Sequence, residues 1–203
     1  MIPVNPSKII CVGRNYLAHA QELGNTVPPE PMIFLKPPSA LLAPGGEIVL
    51  PAQSQQVEYE GEIGVVVLER LRNLTPVQAE QVRLGFTCVN DVTARDLQKT
   101  DGQWGRAKGF DTFCPVGPMV VEGLDWRSLT VTTRLNGAVK QQGATAEMAY
   151  SIPVILAFIS SVMTLEPGDL IATGTPAGVG RLTSGDLIEV EVSGVGILRN
   201  TVR

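Results

Sequence analysis

Histidine is nearly absent from this sequence: His19 is the only one in 203 residues. Cysteine is scarce as well, with Cys11, Cys88 and Cys114 making an odd number and no CxxC pair. Zinc sites draw chiefly on these two residue types, so a zinc ribbon is disfavoured. A disulfide framework is disfavoured by the same count, and a reducing, cytoplasmic setting is expected. No run of basic residues occurs, and the net charge is -4 with a pI near 5.1. General binding to nucleic acid or to an anionic membrane therefore gets no support from charge. The longest apolar stretch, IPVILAFISSVMTL from Ile152 to Leu165, is too short to span a bilayer and carries serines in its middle. The opening MIPVNPSKII has no charged segment followed by an apolar one, so no signal peptide is expected.

Glycine and proline, by contrast, are abundant at 21 and 15 residues, which implies many turns and short elements. Segments rich in β-branched residues and bounded by Gly or Pro predict strands at KIICVG, MIFLKP, GEIVLP, EIGVVVLE, LTVTTRLNG, DLIATG, DLIEVEVSG and GILRNTV. Helical spacing appears in NYLAHAQELG, with Gly24 as its stop, and in TPVQAEQVRL, where Thr75-Pro76 forms an N-cap and first turn. SIPVILAFISSVM is too apolar for a surface helix and should be buried. GDLIATGTPAGVG and GDLIEVEVSGVG resemble each other, as two strands started by similar Gly-Asp turns would. With no linker or low-complexity tract, residues 1–203 are expected to form one mainly-β (α+β) domain.

The segment VEYEGEIGVVV places Glu58, Glu60 and Glu62 at every second position, so in a strand they share a face. Tyr59, Gly61, Ile63 and Val65 then face the other way. Two readings fit. An edge strand can carry solvated acids that discourage aggregation. Alternatively the face lines a cleft, where the carboxylates need a cation, and hard oxygen ligands suit Mg²⁺, Mn²⁺ or Ca²⁺. Farther on, CVNDVTARD puts Asp91 just past an apolar stretch, as a ligand or as an N-cap. Two glutamates and a distant aspartate would leave about half of an octahedral ion open to water or substrate.

Across nearly its whole length the sequence resembles the fumarylacetoacetate hydrolase family, in particular its small single-domain acylpyruvate hydrolase and oxaloacetate decarboxylase branch. The matching segments, in the family's order, are VGRNYLAHAQE, PMIFLKPPSAL, EYEGEIGVVV, NDVTARDLQ, AKGFDTFCPVGP, LNG, SIPVILAFIS and LEPGDLIATGTPAGVG. Each is weak alone; the ordered set is specific. The resemblance implies a β-roll of mixed sheets with short helices, a homodimer, and Glu60, Glu62 and Asp91 as metal ligands for Mg²⁺ or Mn²⁺, with Ca²⁺ a crystallographic substitute. Glu58 falls outside the ligand set and is expected to be a polar neighbour.

His19 and Glu22 stand three apart in a predicted helix and so share a face. The resemblance makes them a dyad on a lid, the glutamate orienting an imidazole that activates water. It makes Lys108 an active-site cation. Arg14, Lys36, Gln98 and Thr175 become candidates for substrate contact, with packing or an ion pair as the alternative for Arg14 and Lys36. The implied activity is metal-dependent cleavage of a C–C bond in a small 2,4-dioxo acid such as acetylpyruvate or fumarylpyruvate. Oxaloacetate decarboxylation or tautomerisation is the alternative, as is isomerisation or decarboxylation of an unsaturated diacid in homoprotocatechuate-type aromatic catabolism. A binding protein that kept the fold and lost turnover is a further alternative, against which the dyad argues. GTPAGVG is no phosphate loop, since neither Gly-Lys-Ser/Thr nor a helical pattern follows. Cys114 has no histidine near it in sequence and is expected to be a buried structural thiol.

Overall fold

The computed structural model describes residues 5–203. Residues 1–4, part of the stretch read above for a signal peptide, lie outside them. In chain order the elements are β1 (Ile9–Gly13), α1 (Leu17–Glu22), β2 (Met32–Lys36), β3 (Leu41–Leu42), β4 (Glu47–Ile48), β5 (Val57–Tyr59), β6 (Gly61–Val67), α2 (Pro76–Ala79), β7 (Leu84–Asn90), β8 (Thr93–Ala94), α3 (Arg95–Thr100), α4 (Gly105–Gly109), β9 (Cys114–Glu122), β10 (Thr130–Leu135), β11 (Ala138–Ala144), α5 (Ile152–Val162), β12 (Leu170–Ala172), β13 (Gly180–Arg181), β14 (Leu187–Val192) and β15 (Gly196–Val202). A seven-stranded mixed sheet runs β2-β1-β12-β6-β7-β9-β3, a five-stranded sheet β11-β10-β14-β15-β4, and a small sheet β13-β5-β8. The fold is mainly β with short helices, as expected.

Strand β6 lies near the middle of the large sheet, between β12 and β7. Ile63, Val65 and Val67 face a core that includes Ile10, Phe86, Ile155, Leu156 and Ile159, while Val66 faces Cys11, Val89, Cys114 and Leu170 on the other side. Burial on both faces explains a continuous β-branched run in place of polar alternation. Each such side chain contributes about 1.5–3 kcal/mol on leaving water. Helix α5 is buried as its composition predicts, covering the β6 face of the sheet. Among the described residues no helix is long and apolar enough to cross a membrane.

Three expectations change. The helix predicted over residues 75–84 stops at Ala79: Thr75 and Gln78 close a capping box, but Leu84 and Phe86 are drawn into the core as part of β7. Core burial outweighs helix propensity there. Strand β9 was not anticipated because Pro115 and Pro118 argue against a strand. It is tolerated where β9 meets the two-residue β3 and where the register against β7 shifts. Finally, the acidic strand is two strands in two sheets, β5 and β6, with Glu60 at the junction. Gly61 permits the change of sheet: a Cβ there would lie 1.9 Å from Thr133 Oγ1.

The weak repeat is turn chemistry. Gly168 and Gly185 both have φ of +94°, where glycine is favoured. Asp169 accepts the Glu166 N–H (2.8 Å) and Asp186 accepts the Thr183 N–H (2.7 Å), the same closure three residues back.

Candidate active site

The junction between β5 and β6 brings the acids together. Glu60 donates its backbone N–H to Asn90 Oδ1 (3.0 Å) and accepts the Asp91 N–H at its carbonyl (2.8 Å), so the two acidic residues are tied through their backbones. Glu62 is two residues farther along, opposite Val89. Carboxylate oxygens of Glu60, Glu62 and Asp91 lie within 4.8 Å of one another, and all three residues are buried. Burial, with an uncompensated charge, excludes the solvated edge-strand reading for Glu60 and Glu62.

Cations surround two of the three acids. Lys108 donates to Glu60 Oε2 and to Asp91 Oδ2, both at 2.7 Å. Arg95 pairs with Glu60 and, through Nε, with Glu58 Oε2 (2.7 Å). Lys36 donates to Asp91 Oδ1 (2.5 Å) and to the Val92 carbonyl (3.1 Å). Glu62 differs: it accepts the Gly174 N–H (2.7 Å) and has no ion pair among the described residues. Burial pushes its carboxyl well above the usual range, and Asp91 and Glu60 push it the same way. Burial pushes Glu60 up too, but Lys108 and Arg95 outweigh it and hold that carboxyl below the usual range. Lys108 is pulled down by burial, yet Asp91 and Glu60 prevail and raise it to about 12, so it stays charged.

Counted with every group ionised, four carboxylates (Glu58, Glu60, Glu62 and Asp91) stand against three cations (Lys36, Arg95 and Lys108), and the surplus negative charge falls on Glu62, whose raised carboxyl reflects it. Three hard oxygen donors, one of them without a counter-charge, fit a divalent cation. Glu60, Glu62 and Asp91 would hold it.

A cavity of about 340 Å³ opens over the triad, a size for a small molecule. His19, Arg14, Gln98, Thr175 and Lys108 line it together with the three acids. His19 is buried, and its Nδ1 lies 3.2 Å from Glu22 Oε2. Gln98 accepts from Arg95 Nη1 (2.5 Å). The Thr175 hydroxyl donates to the Gly61 carbonyl (2.8 Å) and accepts from Gln141 Nε2 (2.7 Å), so it also braces the start of β6. Lys36 is the exception among the candidates. It lies behind Asp91 and outside the cavity lining, so of the two alternatives raised for it the ion pair is the one formed.

Arg95 was overlooked as a site residue. The available signal was spacing: Arg95, Gln98 and Lys99 fall at i, i+3 and i+4 on α3 and all line the cavity. Phe34 and Trp104 were also missed. They stack edge to face at 5.2 Å, with Lys108 Nζ 5.1 Å from the Phe34 ring centre. Arg14 adopts φ of +57°, rare for a residue with a side chain, as the chain leaves β1.

Comparison with known proteins identifies the family. The family described as fumarylacetoacetate (FAA) hydrolase C-terminal matches residues 8–203. An oxaloacetate tautomerase of Bacillus subtilis (strain 168) is 40% identical over 215 residues, covering 99% of this chain and 71% of that protein. The crystal structure of 5-carboxymethyl-2-hydroxymuconate delta-isomerase from Mycobacterium smegmatis superposes with a TM-score of 0.92 at 46% identity, covering 98% of this chain and 80% of that one. Fumarylpyruvate hydrolase from Pseudomonas aeruginosa, solved with Mn²⁺ and pyruvate, gives 0.89 at 29% identity, covering 97% and 89%. The chain belongs to the fumarylacetoacetate hydrolase family of enzymes.

Proposed function

We propose that this protein is a Mg²⁺- or Mn²⁺-dependent hydrolase that cleaves the C–C bond of a small acylpyruvate, acetylpyruvate or fumarylpyruvate in class. The carrying observation is the buried triad with its one uncompensated carboxylate, set in a small cavity beside the His19–Glu22 pair. A divalent ion held by Glu60, Glu62 and Asp91 would supply Lewis-acid stabilisation of developing negative charge on a 2-oxo acid. The remaining work falls to side chains of this chain. Glu22 accepts at His19 Nδ1, which leaves Nε2 as the base that takes a proton from water. The water oxygen bonds to the distal carbonyl carbon, the adjoining C–C bond breaks towards pyruvate, and the His19 proton passes to the carbon left as the enolate. The products are pyruvate and a carboxylic acid. Lys108, charged throughout the neutral range, acts electrostatically and not as the acid. Arg14 and Lys99 line the cavity without an ion-pair partner among the described residues and suit substrate carboxylates, as Gln98 and Thr175 suit substrate oxygens.

Of the second reading, oxaloacetate tautomerisation or decarboxylation, the tautomerisation is favoured by the name and 40% identity of the Bacillus subtilis relative. Unsaturated-diacid isomerisation is favoured in the same way by the Mycobacterium smegmatis structure. The proposal includes a homodimer and a reducing, cytoplasmic setting, the latter supported by three cysteines that are all free and buried.

The test follows the enol absorbance of acetylpyruvate, fumarylpyruvate and oxaloacetate with Mg²⁺, Mn²⁺ or EDTA and identifies products by mass. Metal-dependent release of pyruvate and a second acid is expected. Pyruvate and CO₂ from oxaloacetate alone, or absorbance loss without cleavage, would replace hydrolysis by the second reading. His19→Ala should still bind metal and oxalate while turnover falls about 10²- to 10⁴-fold. Undiminished turnover would remove His19 from the mechanism.

A further inference from the structure

The segment Leu17–Asn25 carries the dyad, yet it is poorly attached. Leu17 and Leu23 are exposed, and the helix itself is only six residues long. His19 and Ala20 are buried beneath it, but apart from the Ala20 N–H, which donates to the Tyr16 carbonyl at the helix start, a single hydrogen bond among the described residues joins Leu17–Asn25 to the rest of the fold: the Gly178 N–H donates to Glu22 Oε1 at 3.0 Å. The other oxygen of that carboxylate faces His19 Nδ1. The Gly178 peptide is itself held from its far side, where the Tyr59 hydroxyl donates to the Gly178 carbonyl at 3.0 Å.

Each partner is fixed. Tyr59 is buried at the end of β5, and its ring lies over Gly180, where a Cβ would come within 2.7 Å of the hydroxyl. Gly178 has φ of +102°, and a Cβ there would lie 2.0 Å from the Lys140 carbonyl oxygen. Only glycine fits, so the peptide is seated against β11. Donation to a peptide carbonyl also polarises that peptide's N–H.

We propose that Tyr59 is a positioning residue for the His19–Glu22 dyad, acting through the Gly178 peptide, which latches α1 over the cavity. This rests on reading His19 and Glu22 as the catalytic pair. The relay joins the strand that leads into the metal ligands to the helix that carries the base. It fixes one carboxylate oxygen of Glu22 and leaves the other to orient the imidazole.

The test is a double-mutant cycle read by amide hydrogen exchange over residues 17–24 in the full chain, which needs neither metal nor substrate. Tyr59→Phe removes one hydroxyl and keeps the ring. It should speed exchange about 2- to 10-fold, the range of one neutral hydrogen bond. Glu22→Ala should do at least as much, and the two together should do no more than Glu22→Ala alone, since both break one relay. In an active preparation Tyr59→Phe should lower kcat more than it raises KM. Unchanged exchange in Tyr59→Phe, or fully additive effects, would overturn the proposal. Should Tyr59→Phe fail to fold, exchange of the Gly178 amide decides: Glu22→Ala must expose it, and persisting protection would overturn the latch. Absence of turnover on every substrate would count against the proposed reaction and leave the exchange result standing.

Discussion

Glu60 and Glu62 are two positions apart and both buried, but their surroundings differ in sign. Lys108 and Arg95 pair with Glu60, whereas Glu62 accepts a backbone N–H and stands beside two acids whose repulsion, with burial, outweighs the more distant pull of Lys108. Substitution should separate them. Glu60→Ala takes one partner from each of two buried cations, leaving Lys108 with Asp91 and Arg95 with Glu58, and should cost about 1.5–3 kcal/mol in EDTA, besides abolishing the rise in melting temperature on adding Mg²⁺ or Mn²⁺. Glu62→Gln relieves repulsion and should leave stability in EDTA unchanged or higher, while losing the same metal response. Melting curves with and without metal decide; equal losses for both variants in EDTA would mean that Glu62 has a cationic partner. That Glu60, Glu62 and Asp91 belong together was legible only with the resemblance, because a carboxylate every second residue also fits a solvated edge strand and Asp91 also reads as an N-cap. Arg95 was not, since an arginine before an aspartate reads as an ordinary helix start, and its partners lie 35 and 37 residues away in the chain. For Lys36 the sequence left substrate contact, packing and an ion pair open for a related reason: it shows a cation but not which side of Asp91 it occupies.

At the scale of elements, the site depends on backbone fit. Gly61 starts β6 against Thr133 and donates its N–H to Gln141 Oε1 (3.0 Å). Gly61→Ala should destabilise by about 1–3 kcal/mol or more, and Thr133→Ala should restore part of that loss in the double variant. No recovery would place the strain elsewhere. Turn chemistry anchors the other end of the sheet. Asp169, at the start of β12, accepts from Ser7 Oγ (2.7 Å), the N–H groups of Ser7 and Lys8 (3.1 and 3.2 Å) and the Glu166 N–H, and pairs with the Lys8 ammonium. Burial pushes its carboxyl up, but the Lys8, Glu166 and Ser7 contacts outweigh that and lower it. A carboxyl lowered on folding adds stability that is complete above its unfolded pKa of about 3.9 and is lost as pH falls through the folded value. Asp169→Asn should therefore cost about 1.5–3 kcal/mol at pH 7, with the deficit shrinking below about pH 4 in urea titrations. A deficit that stays constant to pH 2 would contradict this assignment. The strands with alternating or β-branched runs were legible; β9 was not, because its prolines are acceptable only beside a particular partner and register shift.

For the whole molecule, three sheets meet so that one short acidic segment changes sheet in the interior. The large core faces β6 from one side and the cysteine-lined core from the other, which makes the strand that carries Glu62 a rigid support. Fold class followed from composition and turn density, but the sheet order did not, since pairings such as β1 with β12 join residues about 160 positions apart. The resemblance supplied what local patterns could not, and the family match over residues 8–203 agrees with it. With every carboxylate ionised the buried cluster would carry one positive charge once a divalent ion was bound, which would suit an anionic acid in the cavity.

The most direct measurement is a calorimetric titration of metal-stripped protein with Mn²⁺, run beside Glu62→Gln. One saturable ion per chain in the parent protein, weakened at least about 100-fold in the variant, is the predicted result. No saturable binding, or binding that ignores the loss of Glu62, would contradict a metal centre at Glu60, Glu62 and Asp91.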